Sequence, residues 1–301
     1  MPHNLTPGPY YQLHGELPEL ESPVLVAMLT GWIDASGAAA AAMANVHSAS
    51  QTRPLATFNG DVFIDYRARR PTMELREGVN TRLQWPEIEL AVGRDPAGHD
   101  LLLLSGPEPD AAWRTFADVV TDLCIQLGVR MAVVFGAYPF ASPHTRPARL
   151  SCTSPSAELV ATVPFLKNSV DVPAGMGAVL EHAFVDKGVP ALGMWAQVPH
   201  YLGTMSYPAA SAALLDGLAS VAGIQIDTAA LNAEAETQRA RIDQLVAANS
   251  EHRTMIEQLE SLYDQVDDQA AASGAPMWAQ SIPTADELGA EVERFLRDQG
   301  D

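Results

Sequence analysis

Apolar residues along the chain fall into two patterns: unbroken runs, and stripes at helical spacing. Val24-Leu25-Val26-Ala27-Met28-Leu29 is an unbroken run that breaks at Thr30-Gly31 and gives way to an Ala-rich stretch reaching Val46. A short run bounded by glycine predicts a buried strand. The Ala-rich stretch predicts a helix, because Ala loses least on entering one. Asp34 and Ser36 both stand where an N-cap belongs. The strand pattern recurs at Asp100 to Gly106, Met131 to Gly136 and Val189 to Ala196. Helical stripes follow these runs: Trp113, Phe116, Ala117, Val120, Leu123, Cys124 and Leu127, then Met176, Val179, Leu180, Ala183 and Phe184, then Leu214, Leu215, Leu218 and Val221. Weaker signals predict strands at Pro54 to Phe58 and Leu150 to Ser154, and a helix at Glu158 to Val163. Thr81 to Val92 reads as sheet with a break at Trp85-Pro86. Residues 1–20, polar and proline-rich, read as an extended surface arm.

Strand alternating with helix predicts an α/β fold: a three-layer α/β/α core with a mainly parallel sheet and right-handed crossovers, over residues 1–226. From Asp227 the pattern changes to narrow stripes with acidic faces. One helix carries Leu231, Ile242, Leu245 and Val246, and a second carries Met255, Ile256, Leu259, Leu262, Tyr263 and Val266. A third starts at Thr284, where Glu287 completes a capping box, after a flexible link from Ala271 to Pro283. Residues 227–301 are thus expected to form a C-terminal helical region that packs on the core or on another subunit, with packing on its own core favoured.

Charge sharpens this division. The net charge is −19, and residues 227–301 hold 5 basic against 16 acidic side chains. Such acidity disfavours nucleic acid and anionic membrane as partners and favours a basic protein surface. No apolar stretch has the form of a signal peptide or a membrane span, so a cytoplasmic location is expected. Two cysteines, Cys124 and Cys152, make a zinc or redox site improbable, and neither a metal nor a cofactor is expected.

The chemistry to be examined lies on the turns. In a parallel sheet, ligands gather at the carboxyl edge near helix N-termini. Three segments belong there: Gly31-Trp32-Ile33-Asp34, the loop Ala137 to Pro147 with His144, Thr145 and Arg146, and Gln197 to Gly203 with His200 and Tyr201. Asp34, His144 and His200 are the candidate acid/base groups. Arg146 and the helix start Gly175-Met176-Gly177 are candidates for holding an anion, with Gly31, Trp32, Thr145 and Tyr201 completing a ligand site. Arg67, Arg69 and Arg70 form the one dense basic cluster. It is read either as an anion site or as a solvated face paired with local acids such as Glu74 and Glu77. No nucleophile motif or phosphate-loop spacing accompanies these groups.

Several of these segments, in order, have a familiar form: Gly31-Trp32-Ile33-Asp34-Ala35, Asp65-Tyr66-Arg67-Ala68-Arg69-Arg70-Pro71, Gly106-Pro107-Glu108-Pro109-Asp110, Pro143-His144-Thr145-Arg146-Pro147, Val172-Pro173-Ala174-Gly175-Met176-Gly177 and Trp195-Ala196-Gln197-Val198-Pro199-His200-Tyr201. Together they cover roughly residues 20–225, and the chain resembles the proteasome assembly chaperone 2 family in its long actinobacterial form. The resemblance implies a core similar in architecture to nucleoside phosphorylases, self-association (a trimer among the options), and proteasome core subunits as candidate partners. The chain ends Gln299-Gly300-Asp301, without the hydrophobic-Tyr-any tripeptide linked to docking of the eukaryotic relatives. Two functions are therefore expected: a protein-interaction or assembly-chaperone role without catalysis, or, as the alternative, a hydrolase- or phosphorylase-like enzyme or binder for a nucleoside-like or anionic ligand.

Overall fold

The computed structural model describes residues 9–273, so the helix expected from Thr284 lies outside the described residues. In chain order the elements are β1 (Tyr11–Leu13), β2 (Val24–Thr30), α1 (Ala38–Ala49), β3 (Arg53–Phe58), α2 (Gly60–Phe63), β4 (Thr72–Arg76), β5 (Val79–Gln84), β6 (Glu89–Arg94) and β7 (Asp100–Pro107). They continue with α3 (Trp113–Gln126), β8 (Met131–Phe140), β9 (Leu150–Thr153), α4 (Ala157–Thr162), α5 (Met176–Asp186), β10 (Ala191–Pro199), α6 (Pro208–Ala222), α7 (Ala229–Ala247) and α8 (Ser250–Ser273).

Eight strands form one sheet in the order β1-β3-β6-β7-β2-β8-β10-β9. Its centre, β7-β2-β8-β10, is parallel, and antiparallel pairs extend it on both sides. Helices cover both faces, which is why the central strands read as unbroken apolar runs. Val24, Val26, Leu101 and Leu103 pack with Ala39, Ala42, Leu214 and Leu218 of α1 and α6. Leu25, Leu102 and Leu104 pack with Phe116, Val120, Leu180 and Phe184 of α3 and α5. Leu101 to Leu104 are wholly buried, and trimming any one to Ala would cost roughly 2–5 kcal/mol.

Several boundaries differ from the sequence reading, among them the end of β10, at Pro199 instead of Ala196. Residues 11–13 are not a free surface arm: they pair antiparallel with β3 and extend the sheet. β8 runs on to Phe140 rather than stopping at Gly136, because β10 pairs with it as far as Phe140. The stretch Thr81 to Val92 is split between two sheets, since β5 joins β4 in a separate two-stranded ribbon while β6 enters the main sheet. Ser36 is no N-cap: it takes a left-handed backbone (φ 61°), and its hydroxyl donates to the Leu202 carbonyl.

The C-terminal helices pack on their own subunit. Leu231 and Ile242 of α7 join the core on the α1/α6 side, and Ile256, Leu259 and Tyr263 of α8 are buried.

Candidate functional site

The parallel strands β2, β7, β8 and β10 end along one edge, and the three predicted turns meet there. The left half of that edge is built around Gly31. Its φ of +127° and the guanidinium of Arg69, 2.8 Å from where a Cβ would stand, restrict the position to glycine. The turn leaves Trp32 and Ile33 each 42% exposed. Asp34 bridges to Ala137 of β8, and its carboxylate accepts N–H bonds from Ala39 (2.8 Å) and Ala40 (3.1 Å). It therefore does the capping work for α1 from outside the helix, where Gly37 occupies the N-cap position. Burial pushes the Asp34 pKa up, and the two N–H bonds partly offset that.

α5 starts at the same place and is closed in the same way. The buried carboxylate of Glu108, just past the end of β7, accepts the backbone N–H of Met176. That puts a negative charge on the positive end of the α5 dipole, where an external anion would otherwise bind. Trp32 lies against Gly175: a Cβ there would stand 2.9 Å from the indole Cδ1. The space left between Trp32, Gly175, Met176 and Trp195 is about 40 Å³. Sites for drug-sized ligands run to roughly 300–1,000 Å³, well above this space.

The right half is covered by the C-terminal helices, which leave a cavity of about 270 Å³ between the 144–148 loop, Tyr207 and α7. His144 is buried; its backbone N–H donates to the Tyr201 hydroxyl oxygen (2.8 Å), its Nδ1 lies 2.8 Å from the same oxygen, and its Nε2 lies 3.1 Å from Asp243 of α7. With the tyrosine O–H donating to Nδ1, the Nε2–H tautomer satisfies every partner. Burial pushes the Tyr201 pKa up. Arg146 forms a two-pronged pair with Asp264 of α8 (Nε–Oδ1 2.8 Å, Nη2–Oδ2 2.7 Å) and reaches Glu260 at 3.2 Å. The Thr145 hydroxyl also donates to Glu260. Arg149 stacks on the Tyr263 ring, whose hydroxyl donates to the Pro147 carbonyl. Hydrogen bonding to Asp264 pushes the Arg146 pKa up and that of Asp264 down.

The nominated acid/base groups are thus brought to one edge but not to one point. Asp34 serves α1 and His144 serves Tyr201 and Asp243, while the exposed His200 meets only the edge of the Tyr201 ring, at 5.4 Å. The basic cluster is divided as well. Arg69 turns to Asp110 (3.1 Å), and Arg67 and Arg70 are exposed. Sequence reasoning missed the groups that close the site: Glu108, Glu260 and Asp264. Glu108 lies inside a segment already singled out, one residue past the strand, and that was the available signal. Among the described residues no group of three or more His, Cys, Asp or Glu is placed to hold a metal ion, and no helix is long and apolar enough to cross a membrane.

Known proteins can now be compared. The curated proteins searched give no match. Among solved structures, a Mycobacterium tuberculosis protein of unknown function is 35% identical, with a TM-score of 0.78 over 88% of this chain and 95% of that one. A protein of unknown function from Corynebacterium glutamicum is 31% identical, with a TM-score of 0.80 over 87% and 99%. The M. tuberculosis proteasome-assembly chaperone homologue is 32% identical, with a TM-score of 0.71 over 77% and 99%. The PAC2 family model matches residues 28–246, from within β2 into α7 and short of α8, and the chain belongs to the PAC2 family.

Proposed function

We propose that this protein is an assembly chaperone: it holds partner protein chains on the carboxyl edge of its sheet and performs no chemistry there. One observation carries the reading. The helix start and the arginine nominated to hold an anion already carry carboxylates of the chain itself, Glu108 on α5 and Asp264 with Glu260 on Arg146. Beside exposed polar groups such as His200 and Asp171, the edge turns large apolar side chains to solvent: Trp32, Ile33, and Val170 and Val172 on the segment leading into α5, with Val172 66% exposed. Exposed apolar side chains grouped at one edge suit a protein surface rather than a small polar substrate. The hydrolase- or phosphorylase-like alternative needs Asp34, His144 and His200 to converge, but Asp34 is engaged with the start of α1 while His144 and His200 lie at Tyr201.

The resemblance to the proteasome-assembly chaperone homologue supports proteasome core subunits as the partners; the same reading has the protein working in the cytosol as a homo-oligomer. The test is native electrophoresis of recombinant proteasome core subunits assembling with and without the full-length chain. Wild type should co-migrate with an early subunit complex. Trp32→Ser/Val172→Ser should weaken that association by roughly tenfold or more, the scale of a lost apolar anchor. Assembly that proceeds identically with and without the protein, and no co-migration, would remove this reading.

A further inference from the structure

The cavity beside the 144–148 loop is not filled by either closure of the carboxyl edge. It holds about 270 Å³ between that loop, the start of α6 and α7. That is just below the range of sites for drug-sized ligands and leaves room for a smaller molecule.

Three groups on its wall are without the partners that such groups ordinarily find. The first is Tyr207, which is 5% exposed yet makes no hydrogen bond through its hydroxyl among the described residues. A buried tyrosine O–H usually has a partner. The unpartnered Ser50 and Thr121 hydroxyls are sealed from solvent, but that of Tyr207 is not, so the space it meets is the cavity it lines. Burial pushes its pKa up to about 12, so it keeps its proton and can donate. The second is the first turn of α6, a helix of 15 residues that begins at Pro208 and has no side-chain cap. Proline carries no N–H, and the N–H of Ala209, on the cavity wall, finds no acceptor among the described residues. The helix dipole makes this end positive. The third is Arg239 of α7, whose guanidinium forms no ion pair among the described residues.

At Met176 and at Arg146 the chain supplies its own carboxylates. Among the described residues it supplies none to these three groups. Pro147, Ala148 and Ile242 make another part of the wall apolar, and Glu236 stands three residues before Arg239. Its carboxylate would repel a second negative charge, which favours a monoanion over phosphate.

We propose that this cavity is a binding site for a small monocarboxylate with an apolar body, its oxygens taken by the Tyr207 hydroxyl, the Ala209 N–H and Arg239, and its body by Pro147, Ala148 and Ile242. A ligand held in this way ties α7 to α6 and the loop. The site is independent of partner binding at Trp32, which can fail without touching it.

Titration calorimetry of the full-length chain with benzoate and hexanoate tests the site, with benzyl alcohol and inorganic phosphate for comparison. The variants are Tyr207→Phe, which removes one oxygen and keeps the ring, and Arg239→Gln, at an exposed position. At least one of the two carboxylates should bind one-to-one, and benzyl alcohol should bind roughly tenfold or more less tightly. Each variant should weaken the carboxylate by roughly tenfold or more, the scale of one hydrogen bond to a charged group. The bound carboxylate should also slow hydrogen exchange in α7 of wild type but not of Tyr207→Phe. No binding by either carboxylate would overturn the site. Binding that both variants retain would place the probe elsewhere and overturn it equally. Phosphate binding more tightly than both carboxylates, and weakened by the same variants, would overturn the monocarboxylate assignment.

Discussion

The two halves of the carboxyl edge solve the same problem by different means. Each presents what looks from sequence like an anion site, and each is filled by the chain's own carboxylates. In the Trp32 half the carboxylate is Glu108, buried, one residue beyond β7 and fixed by the sheet itself. In the His144 half the carboxylates come from α7 and α8, with Asp264 lying 118 residues after the arginine it pairs with, on a side chain 48% exposed. The first closure belongs to the folding core. The second is a cover laid over it. A helix start or an arginine therefore marks a place where charge must be balanced, and the balancing group must be found before a ligand is inferred.

That difference breaks most visibly at Glu108. Glu108→Ala removes a charged acceptor from a buried N–H at the start of α5, and such bonds are worth roughly 1.5–3 kcal/mol. Denaturant unfolding should show a loss of about 2–3 kcal/mol. A loss under about 0.5 kcal/mol would mean that water or a neighbour serves Met176 as well, and that this half is as loosely closed as the other.

A second carboxyl on α5 sharpens the contrast through pH. Glu181 is buried and accepts from the Thr153 hydroxyl at 3.0 Å, and burial pushes its pKa up to about 8. A raised acid pKa means that the folded state holds the proton more tightly than the unfolded chain. The stability that Glu181 contributes is then whole below the ordinary glutamate value and is lost as pH climbs through about 8. Glu181→Gln should match wild type near pH 4 and exceed it by about 2 kcal/mol near pH 9, as an order of magnitude. Parallel pH–stability curves for the two proteins would show that Glu181 ionises freely in the fold.

How much of this was legible follows from the range of the interactions. The central strands were readable because burial on both faces leaves no alternative to an apolar run, as at Val24 to Leu29. Their carboxyl ends were equally readable, so Trp32, His144 and Tyr201 were placed on one edge by topology alone. The pairing partners were not. Asp34 reaches N–H groups five and six residues on and hides as an ordinary cap signal, while Arg146 finds Asp264 only through the packing of two helices. The ribbon was blurred because β5 and β6 follow each other in one stretch of mixed apolar and polar residues, and only tertiary packing assigns one to water and the other to the sheet.

The smallest effect concerns the cover itself. Arg146→Ala removes the two-pronged pair with Asp264 and the reach to Glu260, but leaves Leu231, Ile242, Ile256 and Leu259 buried. Partly exposed ion pairs contribute little to global stability, so the unfolding midpoint should hardly move. Local opening is a different quantity, because the pair is one of the polar ties, with His144–Asp243, Thr145–Glu260 and Tyr263–Pro147, that hold the loop to the helices. Hydrogen exchange should therefore speed up in residues 227–265 and in the 143–149 loop, while β2 and β7 stay protected. Acid should mimic the substitution in wild type. The Asp264 pKa is depressed, so the contribution of the pair is whole above the ordinary aspartate value and the pair is lost as pH falls through the depressed value. Exchange that quickens equally in the Trp32 half would show that the two closures are one cooperative unit and that the cover is as much a part of the core as Glu108.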